Sequence, residues 1–163
     1  MKVTIFLGSD SDFEVIKDGL EILKEFGLSF NLEVTSAHRT PERTVRLIKE
    51  AEEKGTRVFI AVAGKAAHLP GVVASQTVLP VIGVPVESQA LAGLDALLSI
   101  VQMPKGIPVA TVALGKTGGA NAALLAISIL AASDEELREK LRAYRQKMAE
   151  KVEESSRRLK EKL

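Results

Sequence analysis

Five short apolar runs set the rhythm of the chain: Val3 to Leu7, Phe30 to Thr35, Val58 to Val62, Val81 to Val84 and Pro108 to Leu114. Each is strand-sized and rich in β-branched residues. Between them apolar residues fall at helical spacing, as at Val15, Leu20, Leu23 and Phe26. Strand-like and helix-like segments therefore alternate, which predicts repeated β-α-β units and a parallel sheet. The strands are nearly continuous in apolar character, as expected where helices cover both faces of the sheet.

The expected fold class is thus α/β: a three-layer sandwich around a five-stranded parallel sheet, with flavodoxin-like strand order 2-1-3-4-5. Helix starts are marked. Ser11-Asp12-Phe13-Glu14 and Ser133-Asp134-Glu135-Glu136 read as capping boxes, and Thr40 as an N-cap followed by Pro41 at the first helical position.

From Ser133 onward the composition shifts to a long charged helix with a thin stripe of Leu137, Leu141, Tyr144, Met148, Val152 and Leu159. A helix of about 28 residues is about 42 Å long at 1.5 Å per residue, more than the width of a domain this small. Either it reaches a neighbouring subunit or it is a solvated, partly frayed tail. We expect a flavodoxin-like catalytic domain over residues 1–132 and a C-terminal helix over 133–163 that packs on a neighbouring subunit.

Composition narrows the partners. The 22 Lys and Arg nearly cancel the 21 Asp and Glu, for a net charge of +1, so no basic groove for nucleic acid or anionic membrane is indicated. The absence of Cys removes disulfides, thiolate metal sites and cysteine nucleophiles, and fits a reducing compartment. The apolar start of "MKVTIFLGSD" is too brief for a signal peptide, and no apolar stretch suits a bilayer span. We expect a soluble cytoplasmic protein that binds small molecules or other protein chains.

In an open α/β sheet, ligands bind beyond the carboxyl ends of the strands. After the first strand, "GSDSD" offers Ser9 and Ser11 hydroxyls and a helix N-terminus to an anion; Asp12, an acceptor, suits ribose hydroxyls instead. Plain helix capping explains the same residues equally well. After the second, "SAHRTPE" places two anion donors, Ser36 and Arg39, around His38, a residue type able to give and take a proton. After the third, "AVAGKAAHLPG" is a run of small residues whose backbone can approach a ligand closely. Its His68 suits either a pocket or a helix entry where a carbonyl satisfies it.

Several chemistries are excluded. Gly115-Lys116-Thr117 resembles the end of a P-loop, but the motif's first glycine falls on Ala110, within a predicted strand. Two well-separated histidines and no Cys argue against a transition-metal site. The G-x-S-x-G elbow and the G-x-G-x-x-G dinucleotide fingerprint are absent. A phosphoacceptor signalling domain would use Asp10, Asp12 and Lys116, but it needs an aspartate after the third strand, where "AVAGKAAH" has none.

Taken in order, "GSDSD", "SAHRTP", "AAHLPG", "PVIGVPV", "SIVQMPKGIPVATVA" and "NAALLA" resemble the class I 5-(carboxyamino)imidazole ribonucleotide mutases of purine (IMP) biosynthesis, from about Val3 to Leu130. The resemblance implies an isomerase that moves a carboxyl group from N5 to C4, giving 4-carboxy-5-aminoimidazole ribonucleotide, with no metal, ATP or organic cofactor. It implies a homo-octamer whose C-terminal helices embrace neighbours. It places the substrate phosphate and ribose on Ser9, Asp12, Ser36 and Arg39, makes His38 the acid–base residue, and puts Ala63, Gly64, His68 and Leu69 around the moving carboxyl group.

One position departs from the pattern. Where the family usually reads A-G-G-A-A-H, this chain has Lys65 in place of the second glycine. Class II relatives, the aminoimidazole ribonucleotide carboxylases that take free CO2, carry a basic residue near this place, but they read S-A-H-K-T and lack the A-A-H-L-P-G histidine. Arg39 and His68 favour the mutase; Lys65 keeps the carboxylase as the alternative.

Overall fold

The structure, a computed structural model, describes residues 1–162. Along the chain run β1 (Val3–Leu7), a 3-10 turn (Asp10–Asp12), α1 (Phe13–Glu25), β2 (Phe30–Val34), α2 (Pro41–Glu53), β3 (Val58–Gly64), α3 (Leu69–Ser75), β4 (Val81–Val86), α4 (Leu94–Val101), β5 (Ala110–Thr111), α5 (Gly115–Ala131) and α6 (Glu135–Lys160). The five strands form one parallel sheet, as the apolar rhythm predicts, in the flavodoxin-like order β2-β1-β3-β4-β5 that was expected. Leu7 pairs with both Val34 and Val62, so the exits of β1, β2 and β3 lie side by side along one edge.

Two compact units are distinguished, one over Met1–Ala126 and a second beginning at Ile127. In the first, β1 and β3 are buried nearly end to end, and β4 is buried up to its last residue. Phe6 and Phe59 stack with ring centroids 5.7 Å apart. Together with Ala61, Ala63 and Val81 they meet Ile48 of α2, Leu69 and Val73 of α3, and Ala96 and Ile100 of α4. Burying each large apolar side chain contributes about 1.5–3 kcal/mol.

On the other face α1 and α5 touch backbone to backbone. A Cβ built on Gly119 would stand 1.9 Å from the Val15 carbonyl oxygen, and one on Gly19 2.5 Å from the Gly119 carbonyl oxygen, so only glycine fits this crossing. The α1 stripe is accordingly Ile16, Leu20 and Leu23 around Gly19, with Val15 only half-buried rather than part of the core.

The second unit holds the end of α5 and the 26-residue α6, where Leu137 is buried and the Arg138 guanidinium donates to the carbonyls of Ala131 and Ala132. Further along α6, Met148, Val152 and Leu159 are 52%, 70% and 64% exposed, so the distal half of the stripe lies open.

Local details differ from expectation. The first capping box sits two residues earlier than predicted: the Ser9 N–H donates to Asp12 Oδ2 at 3.0 Å, and the turn from Asp10 runs directly into α1. At α6 the cap is Asp134, whose carboxylate accepts from the Leu137 N–H at 3.1 Å, rather than Ser133. The last strand is two residues long instead of seven. Pro108 has no N–H for the ladder, and only Ile82 and Gly83 of β4 pair with it. β3 and β4 in turn run two residues further than predicted, to Gly64 and Val86.

Candidate active site

Three loops at the carboxyl edge are tied to one another before any ligand is considered. The Thr35 N–H donates to the Leu7 carbonyl at 2.9 Å, extending the β1–β2 pairing, and the Thr35 hydroxyl is locked against that of Thr44 at 2.8 Å in a buried contact. Thr40 does not cap α2 with its side chain; instead its hydroxyl accepts from the Ser36 N–H at 3.0 Å, pinning the loop across the joint. Pro41 then opens the helix, where its missing N–H costs nothing.

This bracing fixes the His38–Arg39 pair. The Arg39 N–H donates to Ser36 Oγ at 3.1 Å, and Arg39 Nη2 donates to the Gly8 carbonyl at 3.2 Å, fastening the second loop to the first. The guanidinium is exposed and so keeps further donors for an anion.

In the first loop Ser9, Asp10 and Ser11 share hydrogen bonds among their side chains, including Ser11 Oγ to Ser9 Oγ at 2.9 Å. Asp12 is buried beneath them. Burial pushes its carboxyl above the ordinary range, the Ser9 N–H partly offsets this, and the charge of Asp10 adds to the rise.

The third loop begins where β3 ends. Gly64 packs against Val86 so closely that a Cβ would stand 3.3 Å from the Val86 Cβ. Lys65 follows with φ of 57°, a left-handed conformation in which its Cβ is sterically disfavoured. That backbone is the physical reason a glycine suits this position, and lysine occupies it regardless. The Ala67 N–H turns back onto the Lys65 carbonyl at 2.8 Å, and the His68 N–H onto that of Ala66 at 2.8 Å. Leu69, buried, anchors the start of α3.

The two histidines, 30 residues apart in sequence, meet. His38 Nε2 lies 2.7 Å from His68 Nδ1, with the rings edge to face at 74° and their centroids 4.8 Å apart. A contact of this length holds one proton between two nitrogens, so one ring donates and the other accepts. The His68 side chain therefore lines the cleft.

All nine site residues expected from sequence, Ser9, Asp12, Ser36, His38, Arg39, Ala63, Gly64, His68 and Leu69, line one cleft of about 1060 Å³. Lys116 and Thr117 do not line it; they open α5, as the rejection of a P-loop requires. The cleft adds a fourth wall that the motifs did not mark: Val86, Glu87, Ser88, Gln89, Ala90 and Asp95, from the end of β4 to the start of α4. The signal was available, since this segment also follows a strand's carboxyl end. Ser88 Oγ and Asp95 Oδ1 are buried there without a hydrogen-bond partner among the described residues, and such atoms are ones that water or a ligand satisfies. Among the described residues no group of three or more His, Asp and Glu is placed to hold a metal ion. No helix of the described residues is long and apolar enough to cross a membrane.

A doubly wound parallel sheet with anion donors and a pair of histidines at the exits of β1, β2 and β3 has the layout expected of a small-molecule enzyme. The chain belongs to the AIR carboxylase family, whose model matches residues 2–151. It is 58% identical to the N5-carboxyaminoimidazole ribonucleotide mutase of Pyrococcus horikoshii, over 98% of this chain and 89% of that protein. Identity to the mutase of the same name from Thermotoga maritima is 52%, over 97% and 91% of the two chains. For that of Escherichia coli K12 it is 50%, over 93% and 89%. Among solved structures, Treponema denticola PurE superposes with a TM-score of 0.87 at 33% identity, covering 96% of this chain and 97% of that one.

Proposed function

We propose that this chain is an isomerase of purine biosynthesis that converts N5-carboxyaminoimidazole ribonucleotide to the C4-carboxylated product. The observation that carries the reading is the His38–His68 contact, set in a cleft whose other walls offer anion donors and small side chains. The curated relatives at 50–58% identity bear the mutase name. The carboxylase alternative is not favoured, since this chain has the second histidine that class II proteins lack.

Arg39 and Ser36 hold the phosphate, with Ser9 beside them, and Asp12 accepts from the ribose hydroxyls. The carbamate then sits over the third loop, among Ala63, Gly64, His68 and Leu69. In a poorly solvated pocket the carbamate loses CO2, because burial disfavours its negative charge. The N5–carboxyl bond breaks, and protonated His38 supplies the proton that N5 takes up. The enamine-like C4 attacks the trapped CO2, and neutral His38 removes the C4 proton, restoring the ring's aromaticity. His38 ends the cycle as it began, and one proton shuttle is enough. His68 orients the His38 ring through the proton they share. The small residues of the third loop keep CO2 beside C4 between the two steps.

The protein acts as a cytoplasmic homo-oligomer, an octamer, with residues 1–132 as the catalytic domain and residues 133–163 as a helix packed on a neighbouring subunit. Two exposed apolar stripes support this. Met148, Val152 and Leu159 face outward on α6, and Leu91, Leu94, Leu98 and Val101, each 47–57% exposed, repeat at helical spacing along and just before α4.

The test offers the purified protein two substrates: the carbamate alone, or aminoimidazole ribonucleotide with bicarbonate. The expected result is faster formation of the C4-carboxylated product from the carbamate. Preference for the free amine would make the chain a carboxylase.

A further inference from the structure

We propose that Lys65 is a specificity-determining residue whose ammonium pairs with the carboxylate of the bound substrate, the group that the reaction moves. The inference rests on the mutase reading above. It begins with the backbone: Lys65 is held at φ of 57°, where a side chain is disfavoured and glycine is at ease. A residue that keeps a long cationic side chain at such a point, on the wall of a ligand cleft, points to a use for the cation.

The cleft has two strong cations, Arg39 and Lys65, and they are prepared differently. Arg39 is fixed by the Gly8 carbonyl and Ser36 Oγ at the junction of the first two loops. The Lys65 side chain makes no hydrogen bond or ion pair with any described residue, although Glu87 and Asp95 line the same cleft. It stands three residues before His68, whose ring touches His38, so the free cation belongs to the loop where proton transfer occurs. The substrate brings two anions, a phosphate and a carbamate. With the phosphate on Arg39, the carbamate is the anion left for Lys65.

The consequence is kinetic. An ammonium beside this carboxylate attracts the bound carbamate and, after transfer, the product carboxylate about equally. It does not stabilise the neutral CO2 formed between them, so it tightens binding of the carbamate without lowering the chemical barrier, and its removal raises KM and does not reduce kcat.

Lys65→Gly is the informative variant, because glycine relaxes the left-handed backbone and the protein is expected to melt at the same or a higher temperature. The KM for the carbamate should rise about tenfold with kcat unchanged or higher. The inhibition constant of aminoimidazole ribonucleotide, which has the phosphate and no carboxylate, should stay unchanged. Lys65→Arg should restore most of the affinity. An unchanged KM in Lys65→Gly would overturn the assignment, and so would an inhibition constant rising by the same factor as KM, which would place Lys65 on the phosphate. The wild-type control separates the two claims: failure to convert the carbamate at all would refute the mutase reading, not the pairing.

Discussion

At the residue scale, burial changes how single groups titrate. Asp12 is the clearest. Its carboxyl is raised by burial, so ionising it costs more in the folded protein than in the unfolded chain. The stability it contributes is fully present below the unfolded-state value and is lost as pH rises through the raised folded value. Asparagine keeps an acceptor for the Ser9 N–H but carries no charge to desolvate. Asp12→Asn should therefore gain melting temperature relative to the wild type as pH increases across the carboxylate range, about pH 3 to 6. A constant or shrinking difference in thermal melts over that range would contradict this. The same variant should turn over more slowly, since the ribose loses a charged acceptor.

His38 and Arg39 were legible as candidates because a strand exit flanked by donors is a recurrent ligand position. The left-handed backbone of Lys65 was not legible, because φ is a property of the loop's closure and not of the residue.

At the element scale, the alternation of apolar runs predicts the parallel sheet, the flavodoxin-like architecture supplies its order, and β1 falls on its expected bounds. The exception, β5, was read as seven residues from an apolar run that includes Pro108; apolar character alone does not supply ladder hydrogen bonds. The wall after β4 escaped for a related reason. "ESQALAGLD" has no phosphate-loop glycines and no histidine, so only topology marks it.

Helix packing shows where local preference and tertiary context conflict. In a free helix, replacing Gly119 with alanine would stabilise by about 1 kcal/mol. Here the added methyl would meet the Val15 carbonyl at 1.9 Å, and prying α1 from α5 should cost about 3 kcal/mol or more. Chemical denaturation of Gly119→Ala should thus show a loss of stability. A gain would mean that the two helices do not cross as closely as described.

At the scale of the whole molecule, Met148, Val152 and Leu159 of the 26-residue α6 and the apolar face of α4 are exposed. Sequence predicted the helix and its stripe, and its length argued for a neighbour; the partner's surface is beyond what one chain's pattern encodes. If α6 is exchanged between subunits, a chain ending at Ala132 should sediment as a smaller species and unfold at lower temperature. The same oligomer after truncation would move the interface elsewhere, with the α4 stripe the next surface to test.

The central claim is that one histidine carries the proton while the carboxyl group changes atoms. His38→Asn, assayed with the carbamate substrate, tests it most directly. The expected result is a folded, normally assembled protein whose kcat falls by about two to four orders of magnitude, the usual contribution of a positioned acid–base group. Turnover within a few-fold of the wild type would show that the proton travels by another route.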